Sequence, residues 1–254
     1  MKYYYLLFLF STVLISSCEH SHSKSKAIND KAKGKIGSKE VSVNYIRPSD
    51  DQFNELNEDV SYDYGDKGNT ALIINVEAPQ WGYFKFVFKE KIIKEEHFGG
   101  DSTDVYEKQE NGEYGVVRKD FNEPYQLTVK NLFAYVLLED HGGYVEKCKF
   151  QDFGNEVYWP EFQYDYCAAA DEDNDGKPEF YLVYYGESDG LDAKPLKVIV
   201  YDKDFDKYKA TAYFPSGNKD DKYHVEYSEN WKKLPKAVQL KGNSILKKFK
   251  ESKR

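Results

Sequence analysis

The sequence predicts a mainly β fold of antiparallel strands, closed by one C-terminal helix. Three observations carry this. Aromatic residues make up 17% of the chain, with 23 Tyr and 16 Phe spread along it, a composition suited to sheet packing. Short apolar or alternating runs recur, separated by Gly- and Asn-containing turns. From Leu234 onward the apolar spacing changes from the period of a strand to that of a helix. If that helix packs on the sheet, the class becomes α+β.

The first segment reads as an export signal. Lys2 is a sparse positive charge before Leu6 to Ile15, an apolar run too short to span a bilayer as a helix. Ile15-Ser16-Ser17-Cys18 resembles the bacterial lipobox, an aliphatic residue and two small ones before a cysteine that is lipidated. That resemblance implies cleavage after residue 17 and a lipid bilayer as partner through acylated Cys18. Each buried methylene contributes about 0.8 kcal/mol, so several acyl chains anchor firmly. Glu19 stands where an aspartate would signal inner-membrane retention, so the expected place is the outer membrane of the cell envelope, periplasmic or surface-facing. Residues 18–40 are rich in Ser, Lys and Gly, include His20 and His22, and lack apolar periodicity, which predicts a flexible tether. Residues 41–254 are expected to form a single β-rich domain.

Within that domain, Ser49-Asp50-Asp51-Gln52 has capping-box spacing and predicts a short helix through Leu56. Ala71 to Val76 is a buried-strand candidate, and Tyr83 to Phe88 a second strand. Asn111-Gly112 lies between Val105-Tyr106 and Tyr114 to Val117, a hairpin signal. Another hairpin is predicted from Leu127 to Leu138 and Tyr144 to Phe150, around His141-Gly142-Gly143. Strands follow at Phe162 to Ala169, Phe180 to Tyr185, Leu196 to Tyr201 and Tyr208 to Phe214. The helix is expected over about 234–252: Pro235 suits a first turn, Leu234, Val238, Ile245 and Phe249 share a face, and Gly242 weakens the middle. Its other face carries Lys236, Lys241, Lys247, Lys248 and Lys250, which suits either anionic headgroups or an acidic local partner.

Charge is unevenly placed. Residues 18–39 carry a net +4 and residues 231–254 a net +8, so residues 40–230 hold about −21 of the total −8. An acidic body repels the phosphate backbone, so no nucleic-acid partner is expected. With Cys18 assigned to lipid, Cys148 and Cys167 remain; they either form a disulfide or persist as two buried thiols.

Between two of the expected strands runs Asp171-Glu172-Asp173-Asn174-Asp175-Gly176-Lys177-Pro178-Glu179. A hard cation such as calcium takes six to eight oxygens, and alternating carboxylates on a tight glycine turn can supply them. Four carboxylates so close repel one another unless a cation neutralises them. The pattern resembles the calcium loops of FG-GAP repeats, the blades of integrin-type β-propellers. The resemblance implies that Asp171, Asp173, Asp175 and Glu179 are side-chain ligands, that Lys177 offers its backbone carbonyl, and that calcium is structural. An EF-hand would need a glutamate at position 12, where Leu182 stands. Asp202, Asp204 and Asp206 also alternate, but Lys207 takes the glycine place, and a solvated hairpin tip is the better reading. With one good copy of the loop, a single blade-like hairpin is expected rather than a propeller.

The stretch from about Tyr144 to Phe214 is similar to bacterial envelope lipoproteins loosely labelled surface-polysaccharide biosynthesis proteins. Asp171 to Glu179, Tyr184-Tyr185, Ser188 to Asp192, Pro195-Leu196-Lys197 and Lys207-Tyr208-Lys209 carry the likeness. It implies association with envelope glycans. Two functions compete: a non-catalytic binding or assembly protein for a glycan or envelope protein, and a glycan-active enzyme with paired carboxylates. Trp81, Trp159 and Trp231 are candidate stacking platforms for the first. For the second, no nucleophile elbow, zinc motif or phosphate-binding glycine loop is present; His97, His141 and His224 are scattered, and Glu139-Asp140-His141 is the cluster to examine.

Overall fold

The computed structural model describes residues 40–253. The expected signal peptide, Cys18 and nearly all of the tether lie outside them. Among the described residues no helix is long and apolar enough to cross a membrane.

The fold is mainly β, with antiparallel sheets and a C-terminal helix. A first sheet has the order β1 (Ser42–Ile46), β2 (Asn69–Ala78), β3 (Gly82–Phe98), β6 (Tyr125–Asp140), β7 (Gly143–Phe153). Between β3 and β6 the chain makes a separate two-stranded hairpin, β4 (Ser102–Lys108) and β5 (Tyr114–Phe121), across the expected Asn111-Gly112 turn. The second sheet runs β13 (His224–Tyr227), β12 (Lys207–Phe214), β11 (Lys194–Tyr201), β10 (Glu179–Ser188), β8 (Tyr158–Phe162), with β9 (Ala168–Ala170) also pairing β10.

The two sheets face each other across aromatic contacts. Phe180 of β10 meets Phe84 and Phe86 of β3 edge-on at 5.8 and 5.5 Å, and Phe162 meets Phe88 at 5.1 Å. Alternation explains the arrangement: Phe180, Leu182 and Tyr184 point to one side of β10, while Tyr181, Val183 and Tyr185 point to the other. All six are buried, so β10 must be covered on both faces. The second cover is α2 (Lys236–Ser252), whose Phe249 packs on Tyr185 and Phe214 at 5.6 and 5.4 Å. On the outer face of the first sheet, Val60 of α1 (Phe53–Tyr64) closes a smaller cluster with Val87, Phe133, Tyr135 and Leu137.

Several sequence expectations need correction. The strand expected over Phe162 to Ala169 is broken: β8 ends at Phe162, Tyr164–Tyr166 form a 3₁₀ turn, and β9 begins at Ala168. The short helix expected after Ser49 starts at Phe53 and runs to Tyr64, with no side-chain cap; Asp50 instead accepts a hydrogen bond from the Arg47 N–H. Gly242 is not merely a weak point in α2. Its missing Cβ makes room for Trp231, whose ring edge would lie 2.8 Å from that atom. The β6–β7 turn agrees with expectation, since His141 and Gly142 both take positive φ, as a two-residue hairpin turn requires.

Candidate metal centre

The acidic loop joins β9 to β10, which pair antiparallel with Glu179 opposite Ala170. It is therefore the tip of a hairpin at one end of the second sheet. Asn174 and Gly176 adopt positive φ, 60° and 87°, and these two left-handed residues curl the backbone inward. The curl brings one carboxylate oxygen each from Asp171, Asp173 and Asp175 within 4.8 Å of one another. Ligand oxygens at calcium distances from one centre stand at most about 5 Å apart, so this spacing and an all-oxygen donor set fit a hard cation.

Backbone donors set these side chains in place. The Asp175 N–H donates to Asp171 Oδ1 and Asp173 Oδ1 at 3.0 and 3.2 Å, and the Gly176 N–H to Asp171 Oδ2 at 2.9 Å. The Lys177 N–H donates to Asp175 Oδ1 at 2.9 Å, and Lys203 Nζ donates to Asp175 Oδ2 at 2.9 Å. Burial and the neighbouring Asp175 charge raise the Asp173 pKa. At Asp175 burial acts the same way, but the Lys203 and Lys177 contacts outweigh it and the pKa falls.

Glu179 is 1% exposed and does not join the converging triad. Its Oε2 accepts from the Glu172 N–H at 2.9 Å. Burial first, and then the charges of Asp173, Asp171 and Asp175, push its carboxyl up to about 8 against that hydrogen bond. On the same face of β10, the fully buried Tyr181 hydroxyl has no hydrogen-bond partner among the described residues, and burial and the charges of Glu179, Glu172 and Asp173 raise its pKa. The Lys177 Nζ lies 3.9 Å from the Trp81 ring centroid and 3.7 Å from Asp204 Oδ1.

The Asp202-Asp204-Asp206 run forms the β11–β12 connection. Asp202 Oδ1 accepts from the Asp204 and Asp206 N–H groups at 3.0 and 2.9 Å, an arrangement that caps a turn. Cys148 and Cys167 are free thiols, so the disulfide alternative is not the one adopted. Cys167 Sγ accepts from the Val183 N–H at 3.3 Å, and burial pushes both thiols up to about 12. His141 sits at an exposed hairpin tip, 2.5 Å from Asp140. Of the three tryptophans Trp231 is buried, Trp159 is half-buried and Trp81 is 45% exposed, so Trp81 offers the most open ring surface.

Sequence reasoning named Trp81 as a stacking candidate and Lys241 on the basic helix face but tied neither to the loop, and it passed over Lys203; Lys241 lies 2.8 Å from Glu172 Oε1. No local signal marks them. A second feature it passed over is a groove of about 430 Å³ between α1 and the first sheet, where Glu55, Asp59, Glu77 and Glu139 surround the buried Lys85. Lys85 Nζ donates to the Tyr144 hydroxyl and lies 3.7 Å from Asp59 Oδ2; burial lowers its pKa while Asp59 and Glu139 oppose the fall.

Compared with protein-family models, curated proteins and solved structures, the chain matches none.

Proposed function

We propose that this chain is a lipid-anchored cell-envelope protein whose acidic loop binds calcium as a structural cofactor, and which serves as a non-catalytic binding or assembly protein for surface glycans. The convergence of the Asp171, Asp173 and Asp175 carboxylates is the observation that carries it. Three acids held by backbone donors at a hairpin tip are a poor arrangement without a counter-charge, and only one lysine, Lys203, bonds them from outside the loop among the described residues. A cation bound to the folded form alone stabilises it by about 2.7 kcal/mol at a hundredfold excess over its dissociation constant. The envelope setting rests on the lipobox-like Ile15 to Cys18, and the glycan association on the family likeness of the Tyr144–Phe214 stretch.

The test is thermal melting with chelator and with restored calcium, alongside elemental analysis of the purified protein. Chelation lowers the melting temperature and calcium restores it. Asp171→Ala and Asp175→Ala abolish the response, and Asp204→Ala, in the turn-capping run, keeps it. Indifference to chelator with no calcium present would sink the reading. For the anchor, Cys18→Ala abolishes lipid labelling and frees the protein from membrane fractions; unchanged labelling would remove the assignment.

A second reading, a glycan-active enzyme, is favoured by the α1 groove, where four carboxylates line one cavity away from the loop. Asp59→Asn and Glu139→Gln separate the two readings: hydrolysis of an envelope glycan that both variants lose would establish the enzyme.

A further inference from the structure

A cleft of about 300 Å³ opens beside the acidic loop, where the β2–β3 turn, β6, β7, the loop itself and the β11–β12 turn meet. Trp81, Leu138 and Phe205 give it apolar walls, and Lys147, Lys177 and Lys203 bring three ammonium groups against one carboxylate, Asp204, which lies 3.7 Å from Lys177 Nζ and leaves the lining net cationic. We propose that this cleft binds a carboxylate-bearing saccharide, and that a cation in the adjacent loop tightens the binding. The second half rests on the calcium reading above; the first does not.

Three observations support the ligand class. Trp81 remains 45% exposed even with Lys177 Nζ over its ring, so indole surface is open to the C–H face of a pyranose. Lys147 makes no ion pair among the described residues and lies 6.0 Å from the Phe205 ring centroid, a free cation at the cleft wall of a chain whose central region is strongly acidic. A carboxylate supplies the missing partner, and the sugar ring fills the aromatic wall. Phe205 holds φ at 64°, an unfavourable value for a bulky residue. Its ring packs 6.1 Å from Phe84 and 6.3 Å from Phe180, so core contacts keep this strained residue facing the cleft.

The coupling follows from Lys203. Its ammonium is bonded to Asp175 Oδ2, one of the acids that a cation would recruit. A cation that claims Asp175 releases Lys203, which already lines the cleft, to face a second carboxylate oxygen or a second sugar. Binding at either site then favours the other by the same factor.

Calorimetric titration with a hyaluronan hexasaccharide tests this, with neutral chitohexaose as control and calcium binding titrated separately on the same protein. The hexasaccharide binds in calcium, binds about tenfold more weakly in chelator, and outcompetes chitohexaose. Trp81→Ala and Lys147→Ala weaken it at least tenfold with calcium binding and melting unchanged. Lys203→Met removes the difference between calcium and chelator. No binding in calcium, equal binding of the neutral sugar, or an unaffected Trp81→Ala overturns the cleft assignment while leaving the calcium reading intact. Calcium binding with equal hexasaccharide affinity in chelator overturns the coupling. Trp81-dependent hexasaccharide binding by a protein that takes up no calcium supports the cleft and overturns the calcium reading.

Discussion

Lys241 of α2 places its Nζ 2.8 Å from Oε1 of Glu172, tying the C-terminal helix to the acidic loop. Glu172 in turn gives its backbone N–H to Glu179, so one residue links the helix, the loop and the first position of β10. The basic face of α2 thus turns partly inward. Lys250 lies 3.6 Å from the Tyr223 ring centroid and Lys253 lies 4.6 Å from that of Tyr185, which gives the acidic, aromatic body a share of the helix's charge.

Lys241→Met should cost little. The pair is about one-third exposed on both sides, so the expected loss is about 0.5 kcal/mol, and it should disappear near 1 M salt. Urea melts of wild type and variant at low and high salt measure it. A loss of several kcal/mol would mean that the contact holds the loop in shape.

Lys89 should make stability depend on pH. It is 1% exposed, with Thr70 Oγ1 at 2.9 Å, and burial lowers its pKa while Asp66 opposes the fall. Between the lowered folded value and the unfolded value near 10.4, the unfolded chain holds the extra proton, so stability rises with pH through that window. Each unit of lowering corresponds to about 1.4 kcal/mol. Lys89→Met should flatten this part of the profile in denaturant melts taken from neutral pH to about pH 10. An unchanged slope would assign it to the other buried lysines.

Gly242→Ala should destabilise, although alanine is the better helix former by about 1 kcal/mol. The added Cβ would sit 2.8 and 3.0 Å from two Trp231 ring carbons, and Trp231 is buried. Overpacking of this kind costs about 1–3 kcal/mol. Thermal melts should show a lower midpoint, and Trp231→Phe in the same chain should recover part of it.

The thiols should be present and inert. In a Cys18→Ser chain, two thiols should titrate after unfolding without reductant, and neither should react quickly in the folded state, because burial keeps both protonated at neutral pH. A single slow-reacting pair that appears only with reductant would show that they bridge.

How much of this was legible beforehand depends on how far apart the participating residues stand in the chain. The Asp171 to Gly176 curl is written locally: alternate carboxylates and a glycine dictate the turn, and Asn174 beside them supplies the second left-handed residue. The His141-Gly142 hairpin and the Val238 to Phe249 stripe follow from turn chemistry and period in the same way, although Leu234 and Pro235, expected in the first turn, are extended and stand just before the helix. The fold class, the acidic hairpin tip and the apolar face of α2 were therefore determined by the sequence itself, through contacts within a few residues.

Only tertiary structure decided what surrounds that tip. Lys203, Trp81 and Lys241 reach the loop from three separate elements, and their placement depends on how two sheets and a helix stack. Packing also broke the strand expected over Phe162 to Ala169, where a 3₁₀ turn interrupts strand-like sequence. It turned Gly242 into a seat for Trp231, and it left Cys148 and Cys167 as separate thiols. Spacing along a chain fixes short-range geometry because few dihedrals intervene; which distant side chains meet is fixed by the burial of whole faces, and no local signal records it.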